Sequence, residues 1–398
     1  MTIMEYIQRL ERFKFFQHSY KNPSEFYTSL IEIPNKVARV AGLNIFSKDY
    51  KVFSWNLACL LTVFVVYGIV TPFTIYEVRH NVDDLIYCLV TVGIGIQGVM
   101  KMVTFLVYRK ELIWTQEYTQ KIYQEESHNH KQVLMEQVSL LNIMTRIIIT
   151  SYIYLGFLLA MGPFLYSLMA GKKALSFGFW IPYLDRFSWP GYLCNVVMQV
   201  IMTLFICSEN LGADVLHFMT MMSSRTQVDM LMIKLRGIKS SDLDIRDKLK
   251  EIIRRHQEHL EFVGTVEMIY RSFFFVIFST LGATLCLSLY AVATLGWVAG
   301  SIPCMFIIYE MFVYCFLATI LETKEDELQQ EIYKVPWYQL SISDQKSLRI
   351  VLEATQQPVC LTLIFYPLNM PTFVDLPATT TPPLATATMR LVTLEWLD

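Results

Sequence analysis

Three groups of residues in this 398-residue chain have types and spacings that invite chemistry. Gly93, Gly95 and Gly98 spell Gly-Ile-Gly-Ile-Gln-Gly, the spacing with which a strand-turn-helix unit brings backbone amides against a dinucleotide pyrophosphate. That chemistry needs a preceding strand. Here the glycines lie inside an apolar run, where small residues instead let two membrane helices approach closely. His256 and His259 stand one helical turn apart, and His128 and His130 flank Asn129, which raises metal ligation. A tetrahedral zinc site needs four ligands at defined spacing, and no cysteine or clustered carboxylate completes either pair. Solvated helix and loop histidines are the simpler account. Gly-x-Ser-x-Gly, His-Glu-x-x-His and P-loop patterns are all missing from the sequence, so the expectation is no enzyme, no metal and no cofactor.

The third group is more informative. Lys101, Arg146, Glu209, Asp214, Arg271 and Glu310 lie inside or against apolar runs. An ionisable side chain in hydrocarbon costs on the order of 3 kcal/mol and therefore tends to face protein or water. Glu310, near the middle of its run, is expected to pair with a cation on a neighbouring helix or to line a wet cavity.

The elements that must position these residues follow from composition. With 54% hydrophobic, 14% aromatic and 17% charged residues and a mean hydropathy of +0.39, the chain is too apolar for an ordinary soluble domain. A net charge of -2 offers no basic field for nucleic acid. A membrane crossing needs about 20 apolar residues, and six runs supply them: 52–71, 85–107, 147–170, 189–208, 272–296 and 298–321. A seventh run, 359–374, is short and holds Pro367, Asn369 and Pro371. All eight cysteines fall in or at the start of apolar runs, where cysteine behaves as a small hydrophobe, so no disulfide framework is expected. Residues 1–51 are mostly polar and carry no signal peptide.

Lys and Arg are distributed by topology. Segments 1–51, 108–144, 223–262 and 322–358 hold 8, 4, 9 and 4 of them, whereas 72–84, 171–188 and 375–398 hold 1, 3 and 1. Loops rich in Lys and Arg stay in the cytosol, which puts the N-terminus inside, inverted relative to G-protein-coupled receptors. Lys101, Arg146, Glu209 and Arg271 then fall toward cytosolic ends, where side chains extend to the interface. In 223–262, Ser241-Asp242 is suited to capping a helix whose apolar positions, Leu243, Ile245, Leu249, Ile252, Ile253 and Leu260, recur at near-helical spacing. That helix is expected to continue unbroken into the fifth span, and 321–331 to extend the sixth. The domains expected are a cytosolic segment 1–51, a bundle 52–321, a cytosolic anchor 322–358, a shortened last span 359–374 and a Thr/Pro-rich tail 375–398.

Pro163 should kink the third span near its outer end and widen the space beside it. At that depth lie Tyr87 and Thr91, Gly156, Ala160 and Phe164, Tyr192, Asn195 and Met198, and Phe306 and Tyr309. Each alone is as well explained by ordinary packing or lipid contact. As a set they suit a small, mostly apolar ligand with one or two hydrogen-bonding groups.

Residues 331–374, EIYKVPWYQLSISDQKSLRIVLEATQQPVCLTLIFYPLNMPTFV, carry a resemblance. Trp337-Tyr338 after a short spacer, a basic helix with Arg349, Gln357-Pro358, and an apolar run ending in Thr372-Phe373 look like the terminal signature of the insect odorant receptor family. The resemblance extends diffusely over 1–374. It implies an all-α polytopic fold and an odour-tuned subunit that binds small volatile ligands in the outer half of the bundle. It also implies assembly with a common co-receptor into a tetrameric non-selective cation channel of the sensory dendrite, with no nucleic acid partner. Trp337, Gln356 and Pro358 would belong to the anchor where subunits meet, and the last helix would line the pore. The sequence departs from the family after Val374, so the outer part of that helix is expected to be missing. A gustatory receptor would share this topology. A G-protein-coupled receptor fits less well, since no acidic-Arg-Tyr triplet and no Asn-Pro-x-x-Tyr occur where that family has them.

Overall fold

The computed structural model describes residues 13–47, 50–51, 54–126, 130–238, 244–295, 301–356, 359–364 and 366–375. These form α1 (Pro23–Ala38), α2 (Trp55–Val78), α3 (Val82–Val107), α4 (Arg109–Glu126), α5 (Lys131–Ala170), α6 (Trp189–Arg236), α7 (Ile245–Leu295), α8 (Ser301–Lys334), a 3-10 turn (Trp337–Gln339) and α9 (Ile342–Thr355). Starts are set by short polar caps. Ser54 accepts from Leu57 N, Asn81 from Asp83 and Asp84 N, Ser188 from Gly191 N, and Ser341 from Asp344 N, each satisfying an amide that a helix start leaves open. Gly171, with φ of 68°, ends α5 in the left-handed conformation that glycine adopts without strain.

Among the described residues six helices are long and apolar enough to cross a membrane: α2, α3, α5, α6, α7 and α8. The chain is a polytopic helical membrane protein. Val65, Ile69, Ile153 and Phe157 are exposed on the crossing segments, where acyl chains would cover them. Four helices are far longer than a crossing. α7 has 51 residues, about 76 Å at 1.5 Å per residue, against a hydrocarbon core of about 30 Å. Its excess, with those of α5, α6 and α8, stands at one end of the molecule, where α1, α4 and α9 also pack. A second, smaller core forms there from Leu231, Leu235, Leu249, Leu328, Leu348 and Val351. The main core runs through the bundle around Phe273, Phe274, Tyr314 and Met219.

The glycine triplet serves helix approach. A Cβ on Gly93 would stand 2.1 Å from Thr284 Oγ1 of α7, and one on Gly95 2.3 Å from the Tyr67 ring of α2, so α3 is pressed between both neighbours.

The seventh apolar run is not a helix over its length. Leu363 N donates to Tyr366 O at 2.7 Å and Leu368 N to Leu361 O at 2.8 Å, with Thr362 and Pro367 forming an isolated bridge. Helix occupies only 370–375 within the described residues. Pro367 cannot donate to a helical ladder, and Asn369 caps the restart by accepting from Thr372 N at 3.1 Å. Ser241, Asp242, Leu243, Gln357, Pro358, His128, Asn129 and the tail beyond Asp375 lie outside the described residues.

Candidate functional site

At the end opposite the helical extensions, segment 171–188 folds back over the bundle instead of projecting from it. Gln199 of α6 is the cause. Its Oε1 accepts from Ser176 N (2.9 Å) and Phe177 N (3.2 Å), while its Nε2 donates to Phe177 O (3.2 Å) and Phe179 O (2.7 Å). One turn earlier Asn195 Oδ1 accepts from Ile181 N at 2.7 Å. Two buried amides thus satisfy the backbone of an irregular segment that would otherwise carry open polar groups into an apolar region. Gly178 lets the segment lie directly on α3, since a Cβ there would meet Cys88 N at 2.6 Å.

Between this strap and α3, α5 and α6 lies a cavity of about 790 Å³, within the range of ligand pockets. Tyr87, Thr91 and Ile94 of α3, Leu159, Pro163 and Tyr166 of α5, Phe177 and Trp180 of the strap, and Tyr192 of α6 are among its walls. Pro163 has no N–H to give Leu159 O, and one turn on the Ser167 hydroxyl donates to Pro163 O at 2.8 Å. Tyr192 Oη lies 2.8 Å from Ser167 Oγ and 3.0 Å from Ala174 O, and the Tyr87 hydroxyl donates to Leu175 O. Arg186 stacks on Trp180, 3.9 Å from the ring centroid, and sits 3.6 Å from Asp84 at the rim.

Below it, sharing Ile94, Leu159 and Phe177 as wall, is a second chamber of about 80 Å³. Its floor is ionic. Lys101 Nζ lies 2.8 Å from Asp214 Oδ1 and 2.9 Å from Glu310 Oε1. Tyr314 donates to Asp214 Oδ1 at 2.5 Å and lies 3.2 Å from Glu310, and Tyr152 donates to the other Asp214 oxygen. The centre joins α3, α5, α6 and α8. Lys101 is 1% exposed, so it does not extend to the interface as its position in the sequence suggests; nor does Glu209, also 1% exposed. Lys101 instead turns inward between Asp214 and Glu310, carboxyl groups on two adjacent helices. Arg146, by contrast, is half-buried and donates to Asn142 Oδ1 at 2.8 Å.

Of the ten residues singled out for ligand contact, Tyr87, Thr91 and Tyr192 line the outer cavity and Gly156 and Phe306 the inner chamber. Asn195 is buried with its amide committed to the strap and to Gly191 O. Met198 packs in the apolar cluster with Phe177 and Phe179. Ala160, Phe164 and Tyr309 are half-buried and line neither space. Gln199 and Trp180 escaped sequence reasoning. The signal for Gln199 was a second amide one turn after Asn195 in an apolar run, of the kind that usually bonds its own helix or a neighbour.

At the opposite end His256 and His259 are buried and not solvated, while His130 is half-buried. His259 is buried, its ring nitrogens 3.0 Å from Gln227 Oε1 and 2.6 Å from Glu325 Oε1. Burial holds the His256 imidazole below its usual value. Arg236 Nε donates to Glu331 at 2.9 Å, and this guanidinium, with the Lys334 ammonium, pulls the Glu331 carboxyl down to about 2. Trp337 and Tyr338 pack edge to face at 5.9 Å and are largely exposed, as are Ile342 and Ile350. Gln356 caps α9 and is exposed.

A family model described as 7tm odorant receptor matches residues 81–380. Putative odorant receptor 83c of Drosophila melanogaster is 23% identical over 367 residues, covering 85% of this chain and 90% of its own. Odorant receptor 10 of Aedes albopictus is 24% identical over 243 residues, covering 58% of this chain and 64% of its own. The insect olfactory receptor OR5 from Machilis hrabei, solved alone and in complex with eugenol, superposes with a TM-score of 0.75 at 15% identity, over 92% of this chain and 99% of that one.

Proposed function

This chain belongs to the insect odorant receptor family, a family of receptors and not of enzymes, and from that premise we propose that it is an odour-tuned subunit of a ligand-gated cation channel. The observation that carries the proposal is the strapped outer cavity. Its walls are aromatic and aliphatic, with a few polar atoms at fixed places, as recognition of a small volatile molecule requires. Tyr87, Thr91 and Tyr192 are its contact residues, with Gly156 and Phe306 deeper; Asn195 and Met198 act behind them, and Ala160, Phe164 and Tyr309 are reached only if the helices shift on binding.

Gating follows from linkage. A ligand that fits one packing of α3, α5 and α6 better than another shifts the bundle by its differential affinity and no more. α7 runs unbroken from bundle to anchor, so a tilt at one end is delivered to the other. The anchor end is cytosolic on the charge distribution, which puts the N-terminus inside. Trp337, Gln356 and Pro358 mark the surface that meets a co-receptor subunit in a hetero-tetramer, supported by the exposed Trp337, Tyr338, Ile342 and Ile350 face. The segment after Asn369 is the start of the pore-lining helix.

The experiment is to express the chain with and without the odorant co-receptor and record currents against volatile aromatics. Odour-evoked current only with both subunits is expected. Currents evoked by sugars but by no volatile would transfer the chain to a gustatory role, and an epitope near the N-terminus labelled on intact cells would reverse the orientation.

A further inference from the structure

The ionic floor of the inner chamber is unevenly satisfied. Asp214 takes hydrogen bonds from Lys101, Tyr152 and Tyr314. Glu310 receives Lys101 on Oε1, which Tyr314 Oη also approaches at 3.2 Å, and among the described residues its Oε2 has no hydrogen-bond partner although the residue is 4% exposed. One ammonium is shared between two carboxyl groups in a place where water is scarce. The chamber is otherwise apolar apart from Gln97, Thr203, Asn210 and Thr284. Thr203 donates to Gln199 O at 2.8 Å and Asn210 gives one amide N–H to Ile206 O at 2.9 Å, both on their own helix. An unpaired buried acceptor costs free energy until a donor reaches it, and about 80 Å³ is room for a small headgroup.

We propose that this inner chamber is a headgroup subsite, which takes the hydrogen-bond-donating end of an otherwise apolar odorant, with Glu310 Oε2 as the acceptor. The headgroup is a hydroxyl or an ammonium, and the apolar body extends across the shared wall of Ile94, Leu159 and Phe177 into the outer cavity. The inference rests on the receptor reading of that cavity and adds the chemical class of its ligand. A site built around a buried hydrogen-bonding group rejects the isostere that lacks its partner far more strongly than an apolar pocket rejects a missing methylene.

The test uses the full-length chain in lipid nanodiscs and three probes that share one ring and a two-carbon chain: ethylbenzene, 2-phenylethanol and 2-phenylethylamine. Dissociation constants come from titrating tryptophan fluorescence, Trp180 being a cavity wall. At least one donor probe is expected to bind about tenfold more tightly than ethylbenzene, and which donor wins tells whether Glu310 is engaged by a neutral or a charged partner. Glu310→Gln should shrink that gap to under about twofold with ethylbenzene unchanged. Thr203→Leu puts a larger apolar side chain into the chamber from α6 while leaving Lys101, Asp214 and Glu310 in the sequence, and should abolish the gap even if Glu310→Gln does not fold. Equal affinities for all three probes, or a gap that survives Thr203→Leu, would overturn the subsite while leaving the outer cavity standing. Binding of none of the three sinks both readings together.

Discussion

Lys101 Nζ lies 2.9 Å from Glu310 Oε1 although the two residues are 209 positions apart. With Asp214 as the second acceptor, the ammonium bridges one carboxyl from α6 and one from α8. Removing one partner of such a group leaves uncompensated charge, at a cost of about 3–5 kcal/mol. Lys101→Met should therefore lower the melting temperature of the detergent-purified chain sharply, and adding Asp214→Asn and Glu310→Gln should restore part of the loss. An unchanged melting curve for Lys101→Met would contradict the pairing.

Gln199 holds the strap by four backbone hydrogen bonds, each contributing about 1 kcal/mol net. Gln199→Leu should leave the bundle folded but release 171–188. Hydrogen exchange at the Ser176 and Phe177 amides should then accelerate by at least about tenfold, with α7 and α8 protection unaltered.

Two glycines beside the outer cavity offer a matched pair. A Cβ on Gly178 would collide with backbone of α3, whereas one on Gly162 meets nothing within 4 Å. Gly178→Ala should cost about 1–3 kcal/mol as an overpacked site and weaken odorant binding by displacing the strap. Gly162→Ala should be close to neutral in stability; comparable thermal losses in both would count against the close approach.

Glu331 supplies a pH dependence. Its folded value, about 2, lies below the ordinary carboxylate range, so its contribution is complete above about pH 4.5 and is lost as pH falls toward 2. Because Arg236 is largely exposed, the stabilisation is on the order of 1 kcal/mol after solvent screening. The melting difference between wild type and Glu331→Gln should be constant from pH 7 to pH 5 and shrink below that; a difference that grows on acidification would reverse the sign.

Trp337 is half exposed and separates folding from assembly. Trp337→Ala should change the stability of the isolated subunit by less than about 0.5 kcal/mol, as expected of a surface position. It should nonetheless reduce recovery of the co-receptor in a detergent pull-down several-fold. Full recovery would remove Trp337 from the subunit contact.

The parts of the fold legible in the sequence were those set by local composition. Six runs of about 20 apolar residues gave the crossings, and near-helical spacing from Ile245 to Leu260 gave the continuation of that helix into the fifth span. The Gly93, Gly95 and Gly98 spacing in an apolar run identified close helix approach rather than a cofactor turn. Pairings across distance were legible only in part: the sequence expects Glu310 to meet a cation on a neighbouring helix, as it does, without saying which one. Lys101 looked like a side chain bound for the interface because nothing local marks Asp214 and Glu310 as its neighbours. Asn195 has the depth and polarity of a ligand contact, yet Ile181, fourteen residues earlier, claims its carbonyl oxygen. Residues 359–368 have the hydropathy of a helix, and the turn there is fixed by Pro367 and by Glu267, which accepts from Thr362 N at 3.0 Å.

The strap carries a consequence for time. A molecule held between 171–188 and the bundle is retained in part by the bonds that Gln199 and Asn195 make to that segment. Its dwell would then be governed by how often the protein breathes at that end, and much less by which odorant is held. Under that control, ligands of unlike affinity would differ mainly in how readily they enter, and, on the proposed function, the shortest interval between exposures that the subunit could tell apart would be set by the protein.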